Sequence, residues 1–104
     1  MNYIKQIYGF SLRRRLYPIS ASAIALYYVL LEIFNSVGFP SELSLPLGRL
    51  TSEASLGKSA VCRARRELIS RGYITVRESI TSSRSAVYSI CEIEPYAIYG
   101  GEKT

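Results

Sequence analysis

The stretch Leu56–Arg84, LGKSAVCRARRELISRGYITVRESITSSR, decides the fold. Its first half predicts a helix over 57–71, because small and apolar residues recur on one face at 100° per residue. That face carries Val61, Ala64 and Leu68, with Ile69 at its edge. Gly72 is a good stop for this helix, since glycine readily adopts the left-handed conformation that follows many helix ends. Arginines fill much of the remaining surface, so the first half predicts a basic amphipathic helix.

The second half of the same stretch begins a predicted β-hairpin. Residues 73–79 alternate apolar and polar side chains, as a strand with one buried face does. Residues 85–91 return with the same alternation, and the Ser/Thr/Arg-rich segment 80–84 is expected to form the tip. A basic helix therefore leads directly into a two-stranded ribbon.

Two longer helices are expected upstream. Segment 3–16 has apolar residues at helical spacing, although Gly9 is unfavourable inside a helix. Ser20 is a suitable cap for a second helix over 21–37, which ends at Gly38 and is apolar over most of its circumference. Such a helix must be enclosed by neighbours, so we expect it to be the central scaffold, with one side available to a partner chain.

A short helix over 46–52 is expected between this scaffold and the basic helix. Pro46 suits its first turn, where no backbone donor is needed. Leu43 and Leu45 predict a short strand before it, and 53–56 is the expected turn after it.

The order helix, turn, basic helix, strand, tip and strand predicts a mainly α fold with a small β-hairpin, a winged helix-turn-helix. In this interpretation residues 1–19 are an N-terminal helical arm and residues 20–91 are the winged-helix domain. Residues 92–104 are acidic and then glycine-rich, which is typical of a tail or linker.

Composition narrows the classes of function. The chain has 104 residues, a net charge of +5 and a pI near 9.4, and most of its 13 cations are arginine. Basic, arginine-rich domains favour phosphate-bearing partners. Histidine and aspartate are missing from the sequence, so the common metal sites and a Ser-His-Asp triad lose their usual residues. We therefore expect a protein that is not an enzyme and that needs no metal and no cofactor.

The expected location is the cytoplasm. Cys62 and Cys91 match no metal or redox spacing, so we interpret them as reduced thiols. The opening segment has its arginines after its apolar residues, the reverse of a secretory signal. The apolar segment 21–37 contains Glu32 and is short for a bilayer span, so no membrane association is expected.

The basic helix and the hairpin carry polar side chains that a DNA duplex could receive together. A helix fits the major groove, and arginine can donate two hydrogen bonds to a guanine edge. Helix-turn-helix proteins use the early residues of their second helix for such contacts. The candidate DNA-binding residues are Lys58, Ser59, Cys62, Arg63 and Arg66 on the helix, and Arg77, Ser82, Ser83 and Arg84 on the hairpin.

A solvated helix face with charge pairs is the plainer interpretation of the same arginines. Glu67 stands four residues from both Arg63 and Arg71, the spacing at which opposite charges pair on a helix. Those two arginines are therefore expected to be partly neutralised.

Three segments of the chain resemble a known family. PISASAIALYYVLLEIFNSVGFPSE, LGRLTSEASLGKSAVCRARRELISRGYI and SAVYSI are similar to the N-terminal domain of DnaD-like replication proteins, which are replisome organisers and initiators of phages and low-GC Gram-positive bacteria. The resemblance covers about residues 3–91 and implies a winged helix that acts in starting DNA replication. It also implies self-association, because some members use this domain to form dimers while a separate C-terminal domain binds DNA. The family usually has glycine where Ser55 stands and a capping serine where Gly57 stands.

Together these observations predict a DNA-binding winged-helix module of the replisome-organiser type. We expect it to act as a dimer on double-stranded DNA, with other replication proteins as further partners. The alternatives are a protein–protein oligomerisation module of a replication protein and a winged-helix transcriptional regulator, since one fold serves several processes. The oligomerisation alternative is based on the apolar surface of the 21–37 helix and on the tyrosine-rich N-terminal arm. Whether the chain is a fragment of a longer protein stays open.

Overall fold

A computed structural model describes residues 1–79 and 84–93 of the chain. Over these residues the protein is mainly helical and has one three-stranded antiparallel sheet. In chain order the elements are α1 Tyr3–Leu16, α2 Ala21–Ser36, β1 Leu43–Pro46, α3 Leu47–Ala54, α4 Lys58–Ser70, β2 Ile74–Glu78 and β3 Ser85–Ile90. The chain divides into two compact units. The main unit is residues 20–91, and the terminal unit joins residues 1–19 with the segment that begins at Glu92.

Helix α2 is the scaffold of the main unit and packs against both α3 and α4. The Ser20 hydroxyl accepts a hydrogen bond from the Ala23 N–H (3.1 Å), which confirms the predicted N-cap. The predicted stop is also confirmed, because Gly38 follows the helix with a φ of +80°, where a side chain would be strained. Both ends of this apolar helix are therefore fixed by the residue types that sequence analysis assigned to them.

Most apolar side chains of α2 are buried within the single chain. Leu26, Tyr27, Leu30, Leu31 and Phe34 are fully buried. These five side chains are therefore not available to a partner chain, whereas Ile24 and Tyr28 on the same helix are only half-buried. The expectation that one side of α2 is available to a partner stays a prediction. None of the helices in the described residues is long and apolar enough to cross a membrane.

The sheet has the order β1-β3-β2, with β3 in the centre and antiparallel to both neighbours. The pairing of β2 with β3, in which Val76 stands opposite Tyr88, confirms the predicted hairpin strands. The predicted short strand is β1, which adds a third strand and sets Leu45 opposite Ala86. Leu45 and Tyr88 are buried, so one face of the sheet closes the core. Residues 80–83 of the predicted tip lie outside the described part of the chain.

Helix α3 begins and ends later than predicted. Pro46 is the last residue of β1 and the N-cap of α3, so the first helical residue is Leu47. The helix then continues to Ala54, and Ser55 follows with φ 55° and ψ 42°, a left-handed conformation. That conformation costs a non-glycine residue about 1–2 kcal/mol. The turn to α4 is therefore short and strained at Ser55, and it delivers the chain to the Gly57 cap of α4.

The terminal unit explains the glycine inside α1, a helix whose predicted range is confirmed. A Cβ atom at Gly9 would lie 2.7 Å from Ile93 Cγ2, which is shorter than real carbon contacts. Ile93 is buried, and its N–H donates to Oε1 of the buried Gln6 (3.0 Å). Gly9 thus lets the chain approach α1 at residue 93, the last residue of the predicted tail that the structure describes.

Candidate nucleic-acid interface

The surface of α4 is divided between core and solvent as the sequence predicted. Val61, Ala64 and Leu68 are buried, and Ile69 is 41% exposed at the edge. The exposed residues on the opposite side are Ser59, Arg63, Arg66 and Ser70. These four residues recur at spacings of four and three, so they form one line along the helix, which we call the outer stripe. Two guanidinium groups on this stripe have access to solvent.

Glu67 lies beside the outer stripe, and its partner differs from the predicted one. Its carboxylate accepts hydrogen bonds from the Ser20 hydroxyl (2.6 Å) and the Ser20 N–H (3.0 Å). The hydroxyl bond is the main cause that holds the pKa of Glu67 below its ordinary value. Burial opposes this lowering of the pKa, while the Ser20 N–H and the positive charge of Arg71 add to it. The electrostatic influence of Arg71 agrees with the prediction.

The predicted neutralisation of Arg63 by Glu67 is wrong. Both oxygens of the carboxylate are bound to Ser20, at the start of α2. Within residues 1–79 and 84–93 the ion pairs join Arg49 to Glu53 and Arg77 to Glu42, and neither holds Arg63 or Arg66. The two arginines of the outer stripe therefore keep their charge available.

The first turn of α4 adds positive potential at one end of this stripe. Lys58 is exposed and is the first residue of the helix. Gly57 caps the helix without a side-chain hydrogen bond, and the first turn contains no acidic residue. The partial positive charge at the helix N-terminus is therefore not offset from within that turn.

The ribbon formed by β2 and β3 holds the remaining candidates. Arg77 is exposed, but its guanidinium is 2.7 Å from the Glu42 carboxylate, so a phosphate would compete with that carboxylate. Arg84 is exposed immediately before β3. Ser82 and Ser83 lie outside the described residues. Of the two hairpin candidates that the structure describes, Arg84 lines the cleft beside α4 that is described next, and Arg77 does not.

An open cleft of about 670 Å³ lies between α4, the start of α3 and the ribbon. From α4 it is lined by Lys58, Cys62 and Arg65, which recur at spacings of four and three and form a second line that we call the cleft stripe. The ribbon contributes Glu78, Arg84, Ser85 and Ala86, and the β1–α3 junction contributes Leu45, Pro46, Leu47 and Gly48. The cleft stripe and the outer stripe are neighbours on the same helix.

Arg65 is the residue of this site that sequence reasoning missed. Helical periodicity puts it at the flank of the core, where it is half-buried. There its guanidinium donates to the buried Tyr88 hydroxyl (2.9 Å) and approaches Cys62 Sγ (3.9 Å). The signal that could have found it is the 58-62-65 spacing, because three polar residues on one line of a helix indicate a second polar surface.

Comparison with protein-family models, with curated proteins and with solved structures finds no match to this chain. Over the described residues, no group of three or more His, Cys, Asp or Glu side chains could hold a metal ion. The candidate site thus consists of the two polar stripes of α4 and the cleft beside them.

Proposed function

We propose that this chain is a DNA-binding module of the winged helix-turn-helix type that acts in the initiation of DNA replication. In this proposal α4 is the recognition helix and the β2–β3 ribbon is the base of the wing. The outer stripe enters the major groove of a duplex, and the ribbon lies along the adjacent backbone or minor groove.

The main support for the proposal is that, within the described residues, no carboxylate is paired with the arginines of the outer stripe. A merely solvated face would be expected to pair its charges along the helix. Here Glu67, which lies four residues after Arg63 and could have paired with it, is hydrogen-bonded to Ser20 instead. Arg63 and Arg66 are exposed and, within the described residues, are held in no ion pair. A polyanion can therefore bind these arginines without first displacing a protein carboxylate.

The role in replication and the dimeric state are supported by the resemblance to DnaD-like replication proteins. Fold alone does not separate replication from transcription. A symmetric dimer would present two copies of α4 to one duplex, and the second contact would then form at a high effective concentration. Weak contacts from a single short helix would suffice for binding under that condition.

Duplex affinity measured by fluorescence anisotropy tests the proposal. Arg63→Ala with Arg66→Ala should weaken binding by about tenfold at moderate salt, since exposed charge-assisted contacts contribute roughly 0.5–1 kcal/mol each. The slope of log affinity against log salt should also become shallower by about one unit for each lost phosphate contact. The matched control is Lys5→Ala with Arg15→Ala, which removes the same charge from exposed positions on α1. If both double variants lose affinity equally, α4 has no special role.

Self-association through α1 is a second candidate function, favoured by a different observation. Ile4 and Tyr8 are 71% and 57% exposed, and their spacing of four places them on one side of the helix. Met1, just before the helix, is 47% exposed. A second copy of the chain could cover these apolar side chains. Ile4→Ser with Tyr8→Ser should then convert a dimer to a monomer in light scattering. A wild-type chain that stays monomeric at high concentration would eliminate this candidate.

A further inference from the structure

We propose that the cleft beside α4 is a binding site, which we call the seat, for a phosphate group and its sugar. Both are supplied by the backbone of one strand of the bound duplex. This inference rests on the proposed function but concerns a different surface from the outer stripe. It assigns contact roles to Lys58, Arg84 and Arg65, and it treats Glu78 as the group that opposes binding.

The charges that line the cleft are suited to an anion. Lys58, Arg65 and Arg84 bring three positive groups to its walls, and Glu78 brings one negative group. Two of these cations lie on α4, and the third, Arg84, immediately precedes β3. Their convergence on one concave surface raises the local potential more than scattered surface charges would.

Arg65 is held in position before any ligand arrives. Its Nη1 donates to the Tyr88 hydroxyl at 2.9 Å, and Tyr88 is fully buried in the central strand of the sheet. A guanidinium fixed in this way loses less conformational freedom on binding than a free side chain does. It supplies the rigid part of the seat, whereas Lys58 at the exposed helix end supplies the adaptable part.

The remaining wall of the cleft is apolar, which selects the kind of anion. Leu45, Pro46, Leu47 and Ala86 present hydrocarbon next to the cationic groups. A free inorganic ion gains nothing from such a wall, whereas a nucleotide unit places the C–H groups of its sugar beside its phosphate. The volume of about 670 Å³ falls in the range of small-ligand sites, roughly 300–1,000 Å³.

The position of the cleft explains why a backbone segment would occupy it. A recognition helix in the major groove and a wing in the minor groove have one strand's backbone between them. The cleft lies between α4 and the ribbon, and its stripe of α4 adjoins the outer stripe. The same placement of the duplex therefore engages the outer stripe with one groove and the cleft with the backbone at its border.

Alkylation of the two cysteines by iodoacetamide, followed by peptide mass spectrometry, measures occupancy of the cleft directly. Cys62 lines the cleft and Cys91 does not, so each molecule carries its own control. A saturating duplex should slow alkylation of Cys62 by about tenfold or more, in proportion to occupancy, and leave Cys91 unchanged. Inorganic pyrophosphate at millimolar concentration should protect Cys62 partially.

Two variants test the assigned charges independently of the thiol. Lys58→Ala should weaken duplex binding about three- to tenfold and reduce protection of Cys62. Glu78→Gln keeps the size of the side chain and removes the opposing charge, so it should tighten binding about two- to fivefold. Glu32→Gln, at an exposed position of α2, makes the same change of charge outside the cleft and should have a smaller effect.

The outcomes separate this proposal from the one before it. Duplex binding that depends on Arg63 and Arg66 but leaves Cys62 unprotected would overturn the seat and keep the proposed function. Protection by pyrophosphate without any duplex binding would support the seat and overturn duplex DNA as the source of its phosphate. Looser duplex binding in Glu78→Gln would overturn the seat, because the negative charge of Glu78 would then not oppose the contact.

Discussion

Replacement of Glu67 by alanine should make the fold less stable and, under the proposed function, make duplex binding stronger. The carboxylate accepts two hydrogen bonds from Ser20, at 2.6 Å and 3.0 Å, and so ties the cap of α2 to α4. Hydrogen bonds to charged groups contribute about 1.5–3 kcal/mol when they are buried. This pair is partly exposed, so we expect a loss of roughly 1–2 kcal/mol for both bonds together. In a domain of this size that loss lowers Tm by about 4–16 °C.

The stability difference should depend on pH with a defined sign. Ser20 holds the pKa of Glu67 below its ordinary value of 4.5, so the ionised form is favoured in the folded chain. The resulting stabilisation is complete above the unfolded pKa and declines as the pH falls below about 4.5 towards the folded pKa. Wild type and Glu67→Ala should therefore differ most near neutral pH and converge in acid, as measured by urea unfolding at pH 7 and pH 3.

The effect of the same variant on DNA should have the opposite sign. Loss of one negative charge beside the outer stripe should tighten duplex binding about two- to fivefold at low salt. Glu32→Ala is the matched control, because it removes an equal charge from an exposed position on α2. A Tm within one degree of wild type at neutral pH, or a stability difference that persists unchanged in acid, would refute the reasoning about Ser20 and Glu67.

Two further predictions concern backbone positions, and urea unfolding tests both. Gly9→Ala should destabilise the protein by about 1–2 kcal/mol, because the contact with Ile93 Cγ2 at 2.7 Å outweighs the gain in helix propensity. In a chain that already carries Ile93→Ala, the cost of Gly9→Ala should be smaller, and equal costs in the two backgrounds would count against the contact. Ser55→Gly should stabilise the protein by about 0.5–1 kcal/mol, because glycine relieves the strain of the left-handed conformation at φ 55°. The control Ser52→Gly, inside α3, should destabilise the protein, and a loss of stability in both variants would contradict the assigned turn.

The features that could be predicted from sequence are those set by local periodicity. The buried face of α4 follows from the positions of Val61, Ala64 and Leu68, and the strands follow from alternation around Tyr88. Side chains at helical or strand spacing must share a face wherever the rest of the chain lies. The caps Ser20 and Gly38 are equally local, because each satisfies a requirement of the helix end itself.

The features that could not be predicted depend on residues distant in sequence. The pattern around Glu67 indicated a pair with Arg63, but such exposed pairs contribute only about 0.3–0.5 kcal/mol. Ser20, 47 residues away, offers two directed donors and takes the carboxylate. Gly9 is unfavourable for a helix in isolation. A glycine is needed there because Ile93, 84 residues later in the chain, packs where a side chain would stand.

The same limit applies to the surface of the protein. Periodicity shows that α2 is apolar nearly all round, but it does not show how many neighbours the chain itself supplies, and Leu26, Leu30 and Leu31 are fully buried within the single chain. The cleft was missed because its walls come from three separate segments. Arg65 in particular has the spacing of a residue near the core, and its role depends on Tyr88 in the sheet.

Amide chemical-shift mapping by NMR during titration with a DNA duplex tests the central claim most directly. The account predicts that the largest shifts fall on α4, at Ser59, Arg63 and Arg66, with further shifts at Lys58 and Arg84 beside the cleft. Shifts confined to α1, or a spectrum that does not change at saturating duplex, would contradict DNA contact through α4.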